Sequence, residues 1–530
     1  MVKKPVLAVL PVFTLLAAVF AVASSVSVAA SSSMIHVPED YGSIQEAVDA
    51  ANPRDIILVS AGIYYEHVTV NKTVSLLGEN HKTTIIDGNN RSDIILNVTA
   101  NNVKISGFTI QNAGGLANPT SCGVFLDGCN GTTIHGNTIA SNLAGGILMI
   151  GSAGNMIINN HILDNGGGVP SLRYGWGIML ANSTGNIFFN NTISNNEVLG
   201  IGLSSSDDNI VKYNTFTNNS EGVGISSSTR NVISENVMTL NENSIYVHAN
   251  GNTIERNQVT KNKIGISLGE SKRNVIRENW VTENTIHGIV IAETATKITV
   301  VRNTISNNLN GIKIHYSNGS IIHHNNFINN TRNSPGDVYP NVNTWDNGYP
   351  SGGNYWSDYN GTDLYNGADQ NLTGSDGIGD TPRILDPLNR DNYPLIAPTT
   401  TFNIGNWNQT SHNIHISSNS TITNLQINKT QRRISFNVSG PDHTAGFCRT
   451  TIPNVVVESL WQNNYSILID GKQPSTTGNW TDATNTLIHF TYNHTQHKVT
   501  IVTEFPATAI LPLVIATILC SALLRRKMKT

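Results

Sequence analysis

From about Gly123 to Asn330 the chain alternates apolar and polar positions in runs of only three to five residues, each closed by Asn or Gly. The runs keep period two and favour β-branched side chains, which predicts short strands rather than helices. An Asn followed two residues later by an apolar side chain recurs at Asn137/Ile139, Asn160/Ile162, Asn191/Ile193, Asn214/Phe216, Asn236/Met238, Asn257/Val259, Asn279/Val281, Asn303/Ile305 and Asn325/Phe327. The spacings are 23, 31, 23, 22, 21, 22, 24 and 22, a steady period broken by one insertion.

Five residues after each anchor stands a second Asn, from Asn142 and Asn165 to Asn308 and Asn330. Each period also holds a run of the Gly-Ile-x-Leu kind, as in Gly177 to Leu180 and Gly265 to Leu268, so one period contains about three strands. Helical solenoids need apolar residues at 3.6 spacing, a propeller blade needs about twice this period, and a leucine-rich repeat needs a fixed Leu scaffold. A right-handed parallel β-helix of roughly eleven rungs, about 50 Å long, fits the pattern. Asn suits its corners on two grounds: it tolerates left-handed backbone, and its amide can bond the equivalent amide one rung away. The residue before the anchor is Glu235, Arg256, Glu278 and Arg302 in successive copies, and Glu255 and Arg277 alternate likewise one position earlier. Stacked at the inter-strand distance, these predict ion-pair ladders on the outside of the coil.

A parallel coil must protect both open ends. At the start, Ser43 is placed to cap a short helix, Ile44 to Ala51, that lays Ile44, Ala47 and Val48 across the first rung, ahead of strands Asp55 to Ser60 and His67 to Val70. The stretch Ile35 to Ala51, with Ala61-Gly-Ile-Tyr-Tyr-Glu66, resembles the opening of pectin-methylesterase-like and NosD-like β-helices. After the repeat comes an Asp- and aromatic-rich block: Asn343-Thr-Trp-Asp-Asn-Gly, Gly353-Asn-Tyr-Trp-Ser-Asp-Tyr, Gly374-Ser-Asp-Gly-Ile-Gly-Asp-Thr-Pro and Asp391-Asn-Tyr-Pro-Leu. This block resembles the terminal part of NosD-type β-helix proteins, a group named for an accessory factor of nitrous oxide reductase and abundant among archaeal surface proteins. Arg383 departs from the aromatic such proteins often carry there. The resemblance spans about residues 35 to 397 and implies a coil over 34–335 with an end cap over 336–397.

From Thr400 to Thr503 longer alternating segments (Ile422 to Ile427, Arg433 to Ser439, Tyr465 to Ile469, Leu487 to Tyr492, Lys498 to Val502) predict a small β-sandwich, with Asp470-Gly471 as a hairpin turn and a role as a stalk. Lys3 and Lys4 before the apolar run Val6 to Ala23 predict a signal peptide over 1–30. The apolar stretch 507–524, followed by Arg525, Arg526 and Lys527, predicts a single transmembrane helix with residues 525–530 as a cytoplasmic tail and everything before it at the cell surface. Between these ends the chain has 26 basic and 36 acidic side chains, a balance that argues against a nucleic-acid partner. Charged residues are only 13% of the chain, so amides and hydroxyls carry its solubility. Four cysteines make no disulfide framework; Cys122 and Cys129 either pair across a fold-back or sit as small buried residues. Eighteen Asn-x-Ser/Thr sequons, among them Asn71, Asn97 and Asn437, permit a glycoprotein exterior.

Four arrangements have candidate chemistry. Asp358, Asp363, Asp369, Asp376 and Asp380 lie within 23 residues among glycines, which suits the hard oxygen ligands of Ca²⁺, or equally a set of Asx-turns. Copper, which the NosD name suggests, needs imidazole or soft ligands, and His315, His323 and His324 form the only close cluster; they read as a surface histidine group, so the sequence does not support copper. Two insertions at one corner, Ala113 to Ser121 and Gly166 to Trp176, are two rungs apart and would wall a cleft about 10 Å wide, lined by Arg173, Tyr174 and Trp176 with Asp127 and Asp164 nearby. Glu270 and Glu293 hold equivalent positions in adjacent rungs, near the separation retaining glycosidases use. The Asp-Phe-Ile-Phe-Gly signature of pectin methylesterases is absent. The sequence thus points to a surface scaffold binding carbohydrate or envelope proteins, the rival being a membrane-tethered polysaccharide lyase or glycoside hydrolase.

Overall fold

The computed structural model describes residues 32–91, 93–114, 120–166, 174–334 and 342–504. The expected signal peptide, transmembrane segment and tail lie outside them, and no helix among the described residues is long and apolar enough to cross a membrane. Three parallel sheets wind into one coil. Sheet one runs from Met34–Val37 to Ile321–His323, sheet two from Val68–Val70 to Asn310–Ile314 and sheet three from Gly62–Tyr64 to Tyr355–Trp356, with thirteen, eleven and thirteen strands. At about 4.8 Å per rung the column is about 58 Å long, longer than expected because rungs before Gly123 follow the same register without the Asn signature.

Inside, each sheet contributes one apolar stack. In sheet three it runs Ile139, Ile162, Ile193, Phe216, Met238, Val259, Val281, Ile305, Phe327 and Trp356, all at most 1% exposed. Each such side chain, fully buried, stabilises the fold by about 1.5–3 kcal/mol. The glycine opening the Gly-Ile-x-Leu run is there because the next rung leaves no room: a Cβ on Gly265 would lie 2.4 Å from the carbonyl oxygen of Gly288.

Both Asn columns are continuous amide ladders. Asn257 Nδ2 donates to Asn279 Oδ1 at 3.0 Å and to Ile233 O at 2.8 Å, and Asn262 Nδ2 donates to Asn284 Oδ1 at 3.2 Å. The ladder side chains point inward and the left-handed backbone belongs to the residue before each anchor, with φ of 55° at Glu235, 52° at Arg256, 57° at Glu278 and 58° at Arg302. One half of the rationale for Asn, amide stacking, therefore holds at these positions, and the other half does not. A third ladder, Asn155, Asn186, Asn209, Asn231, Asn252 and Asn274, lines the remaining corner.

The ends are closed as expected at the start and by a further device at the finish. Ser43 Oγ accepts from Glu46 N at 3.2 Å to cap helix Ile44–Ala50, whose Ile44, Ala47 and Val48 are fully buried. At the far end the first ladder passes from Asn325 to Asn354 and stops at Asp391, which accepts from Asn354 N at 2.8 Å and Trp356 Nε1 at 2.9 Å. Trp356 stacks on Phe327 with ring centres 4.2 Å apart, covering the last rung. Cys122 and Cys129 are free and buried.

The C-terminal body has a five-stranded antiparallel sheet (Thr399–Trp407, Thr410–Ser418, Ala445–Pro453, Asn485–Asn493, Thr477–Thr481) and a four-stranded one (Thr421–Asn428, Arg433–Ser439, His497–Thr503, Tyr465–Ile469). Helix Asn454–Trp461 bridges them with Val456, Val457, Leu460 and Trp461 buried. Asp470 and Gly471 form the expected tight turn, both at positive φ, although the chain leaving it crosses to the other sheet.

Candidate functional site

The sandwich is not a stalk standing clear of the coil. Asn326, on the outer face of sheet three, donates through Nδ2 to Thr399 O at 2.9 Å and accepts from Thr399 N at 2.8 Å, which pins the sandwich's first strand to the coil. Asn413 Nδ2 donates to Glu278 Oε1 at 3.1 Å, and the buried Arg449 guanidinium donates to the carbonyl oxygens of Asp376 and Pro350 in the end cap. The strand pair 399–407 and 410–418 thereby lies along the column of charged corner residues and encloses a continuous cleft.

Three adjacent cavities, neighbours sharing lining residues such as Glu278 and Arg302, make up the cleft. The widest, about 770 Å³, has Glu235, Arg256, Arg277 and Glu278 on the coil side and Thr401, Asn403, Ser411 and Asn413 on the sandwich side. The middle one, about 350 Å³, is lined by Glu278, Trp280, Arg302, Thr304 and Asn326 facing Thr399, Thr400 and Thr401. The innermost, about 130 Å³, holds His323, His324, His415, Arg302 and Arg449.

The ion-pair ladders form as expected and then break. Arg256 lies 3.6 Å from both Glu235 and Glu278, Lys212 lies 3.2 Å from Glu235, and Arg277 Nε donates to Glu255 at 2.6 Å. Glu255 is 6% exposed, so this is not an open surface ladder. At Arg302 the alternation should supply another pair, but Glu278 is engaged by Arg256 and by the sandwich's Asn413. Among the described residues Arg302 makes no ion pair or hydrogen bond, and burial lowers its pKa. The residues beyond it are neutral: burial pushes His323 down to about 4 and holds His324 and His415 well below the usual histidine range, with Arg302 adding to each.

The other sequence-predicted residues fall elsewhere. Arg173 lies outside the described residues, as do most of both insertions. Trp176 is 7% exposed, so its expected place as a cleft lining is corrected: its indole lies over Gly145, where any Cβ would collide with it, and packs with Cys122, Ala144 and Leu148. Tyr174 packs at the edge of this cluster. The floor between the insertions is therefore filled. Asp127 ends strand Cys122–Asp127 and is exposed, whereas Asp164 lies beyond sheet three at the opposite side of sheet two and accepts from Asn195 Nδ2 at 3.0 Å. The two are not brought together. Glu270 and Glu293 do occupy one corner in adjacent rungs, linked by Glu270 N to Glu293 O at 2.9 Å; both are exposed, and Glu270 pairs with His248 at 2.9 Å.

In the end cap, Asp380 accepts from Leu364 N and Tyr365 N at 3.0 Å, Asp363 from Asp376 N at 2.9 Å and Gly377 N at 2.8 Å, and Asp376 from Ile378 N at 3.0 Å. Asp358 instead meets Asn333 and Arg383, and Asp369 is exposed. These are turn-forming carboxylates bound to backbone N–H groups, and burial pushes Asp363 up to about 7. Among the described residues no group of three or more His, Cys, Asp or Glu is placed to hold a metal ion.

The histidines were expected at the surface, and the structure corrects this for His323 and His324. His324 Nε2 donates to Ser351 O at 3.0 Å, leaving Nδ1 to meet His323 Nδ1 at 2.6 Å, and His415 Nδ1 meets Thr401 Oγ1 at 3.0 Å. His315 instead packs against Tyr316, with ring centres 4.1 Å apart.

Two family models match parts of the coil. Residues 93–259 match the family described as right handed beta helix region, and residues 220–361 match the family described as periplasmic copper-binding protein (NosD). No curated relative matches the chain. Among solved structures, the mannuronan C-5 epimerase AlgE6 A-module of Azotobacter vinelandii aligns at 17% identity and TM-score 0.46, over 57% of this chain and 92% of that one. PfbA, a surface adhesin of Streptococcus pneumoniae, aligns at 16% identity and TM-score 0.40, over 55% of this chain and 92% of that one. The alginate lyase from Paenibacillus sp. aligns at 14% and 0.35, over 53% and 97%. The copper named in the family description does not fit the histidines here: both ring nitrogens of His324 are engaged, and Arg302 and Arg449 share their cavity, where positive charge opposes a cation. What sequence and coil establish together is that the chain is a NosD-like right-handed β-helix protein.

Proposed function

We propose that this is an extracellular, non-catalytic scaffold that binds carbohydrate, or a neighbouring envelope protein presenting it, in the cleft between coil and sandwich. The observation that supports this is the cleft itself: a second body covers one face of the coil and turns a row of corner residues into a polar, partly enclosed recess. Concave sites with a few convergent polar groups are where small ligands bind, whereas the carboxylates that a hydrolase or lyase would use, Glu270 and Glu293, stand on an open corner. A signal peptide and a C-terminal anchor would hold the recess outside the membrane, in keeping with the periplasmic description of the matched family.

The full-length protein is applied to an array of neutral and acidic glycans, and bound glycans are recovered for product analysis. Binding with the recovered chains intact is the expected result. Cleaved products lost in Glu293→Gln overturn the non-catalytic reading, and no glycan retained overturns the carbohydrate reading.

A further inference from the structure

The middle cavity carries more than a general affinity for glycans. Its floor is Trp280, 56% exposed on the outer face of sheet three. Side chains at this position in neighbouring rungs are Gln258 on one side and Thr304, then Asn326, on the other, so the indole lies in an otherwise polar row. A large ring left more than half exposed inside a recess offers a flat apolar face. Facing it are Thr400 and Thr401, and Thr304 adds a further hydroxyl from the floor.

Arg302 stands at the boundary of the middle and inner cavities and lines both. Its column neighbours explain why it is unpaired. On one side Glu278 is drawn to Arg256 and Asn413; on the other is His324, held neutral. Glu278 lines the same cavity but is held by Arg256 and Asn413, so among the described residues the Arg302 guanidinium keeps its hydrogen-bonding fork open, and that planar fork matches a carboxylate. Every other arginine of the two ladders, Arg256 and Arg277, has its carboxylate in place. The cavity's volume, about 350 Å³, is at the lower end of the range of small-ligand sites, about 300–1,000 Å³.

We infer that the middle cavity is a subsite for one acidic sugar unit of a polysaccharide, with the sugar ring on Trp280, its carboxylate on Arg302 and its hydroxyls among Thr304, Thr400 and Thr401. The inference rests on the carbohydrate reading above and narrows it to uronic-acid-type glycans. An acidic peptide is the less suitable occupant: the strands of sheet three pair on both sides here, and on the sandwich's edge strand Thr399–Trp407 the N–H and carbonyl of Thr399 are already taken by Asn326. The rest of the glycan has a path, since the row below Trp280 continues through Gln258, Val237 and Thr215.

The test is calorimetric titration of the full-length protein with tetragalacturonate, its fully methyl-esterified form and a tetraglutamate peptide. The free acid is expected to bind at least tenfold tighter than either of the others. Arg302→Gln should bring the acid to the level of the ester, Arg302→Lys should recover part of the difference, and Trp280→Ala should abolish binding of acid and ester alike, while Arg273→Gln, on an exposed corner, changes nothing. Equal binding of acid and ester by the unmodified protein overturns the inference without recourse to any variant, and leaves the carbohydrate reading intact. So does an affinity for the acid unmoved by Arg302→Gln. Tight binding of the peptide also overturns it, in favour of a protein ligand.

Discussion

Two corners of the coil have nearly the same backbone and the same kinds of side chain, and they differ in what lies over them. At the corner before sheet three, Glu278 and Arg302 sit at φ of 57° and 58°; at the corner after sheet two, Glu270 and Glu293 sit at 38° and 51°. Over the first lies the sandwich; over the second, among the described residues, lies no second body, and both carboxylates are exposed. At the open corner Glu270 and His248 form a pair whose side chains remain 62% and 40% exposed, an arrangement worth about 0–1 kcal/mol. At the covered corner water is partly removed, the carboxylate of Glu255 is almost fully enclosed and, among the described residues, the Arg302 guanidinium makes no ion pair or hydrogen bond. Charges that merely decorate a solenoid become a recognition surface once a second body lowers the local dielectric.

If the cover makes the difference, what the two corners share must be held from within. Asn257→Ala removes an acceptor from Asn236 N and Nδ2 and a donor from Ile233 O in the buried ladder. It should cost about 3 kcal/mol or more in urea denaturation, since each buried group left unsatisfied costs about 1–3 kcal/mol. A loss below about 1 kcal/mol would mean that the stacked strands, not the ladder, set the corner.

The cover itself is tested by pH. His323 has its pKa lowered in the folded protein to about 4, so between an unfolded value of about 6.5 and that point the unfolded chain takes up a proton that the folded one refuses. Stability linked to this group is complete above about pH 6.5 and is lost as pH falls toward 4, by about 3 kcal/mol at most. His323→Gln should flatten the fall in melting temperature between pH 6.5 and 4. An unchanged slope would show that the sandwich does not shield this corner in solution.

The smallest effect compares the corners directly. Arg256→Gln should lower stability by about 1 kcal/mol, because it frees Glu235 and Glu278 under the sandwich, and Glu270→Gln by less than about 0.5 kcal/mol. Equal losses would remove the distinction between covered and open.

The coil was legible because its constraints repeat: a ladder amide must recur once per turn, so Asn137 to Asn325 announce both period and register. The third ladder was equally periodic, from Asn155 to Asn274, and its signal was available in the same spacing. Charge alternation at Glu235 to Arg302 predicted the pairs, yet nothing local to those residues says that residues 399–418 will lie over them. The site is made by contacts between segments more than a hundred residues apart, such as Asn413 with Glu278, and a single sequence carries no periodic trace of such a contact. The end cap left two readings open for a related reason. Asp363, Asp376 and Asp380 accept from backbone N–H groups, and a turn and a cation site draw on the same residue types at the same spacing.

The left-handed corner residue has a consequence for how such a surface changes over time. Tyr213, Glu235, Arg256, Glu278, Arg302 and His324 share one backbone geometry and point away from the core, while the neighbouring buried Asn fixes the turn. Selection can therefore rewrite the outward residue of one rung without unwinding the coil. The molecule separates its grammar from its vocabulary: buried amides keep the chain wound, and each turn adds one letter, read with its neighbours, to the row that the sandwich covers.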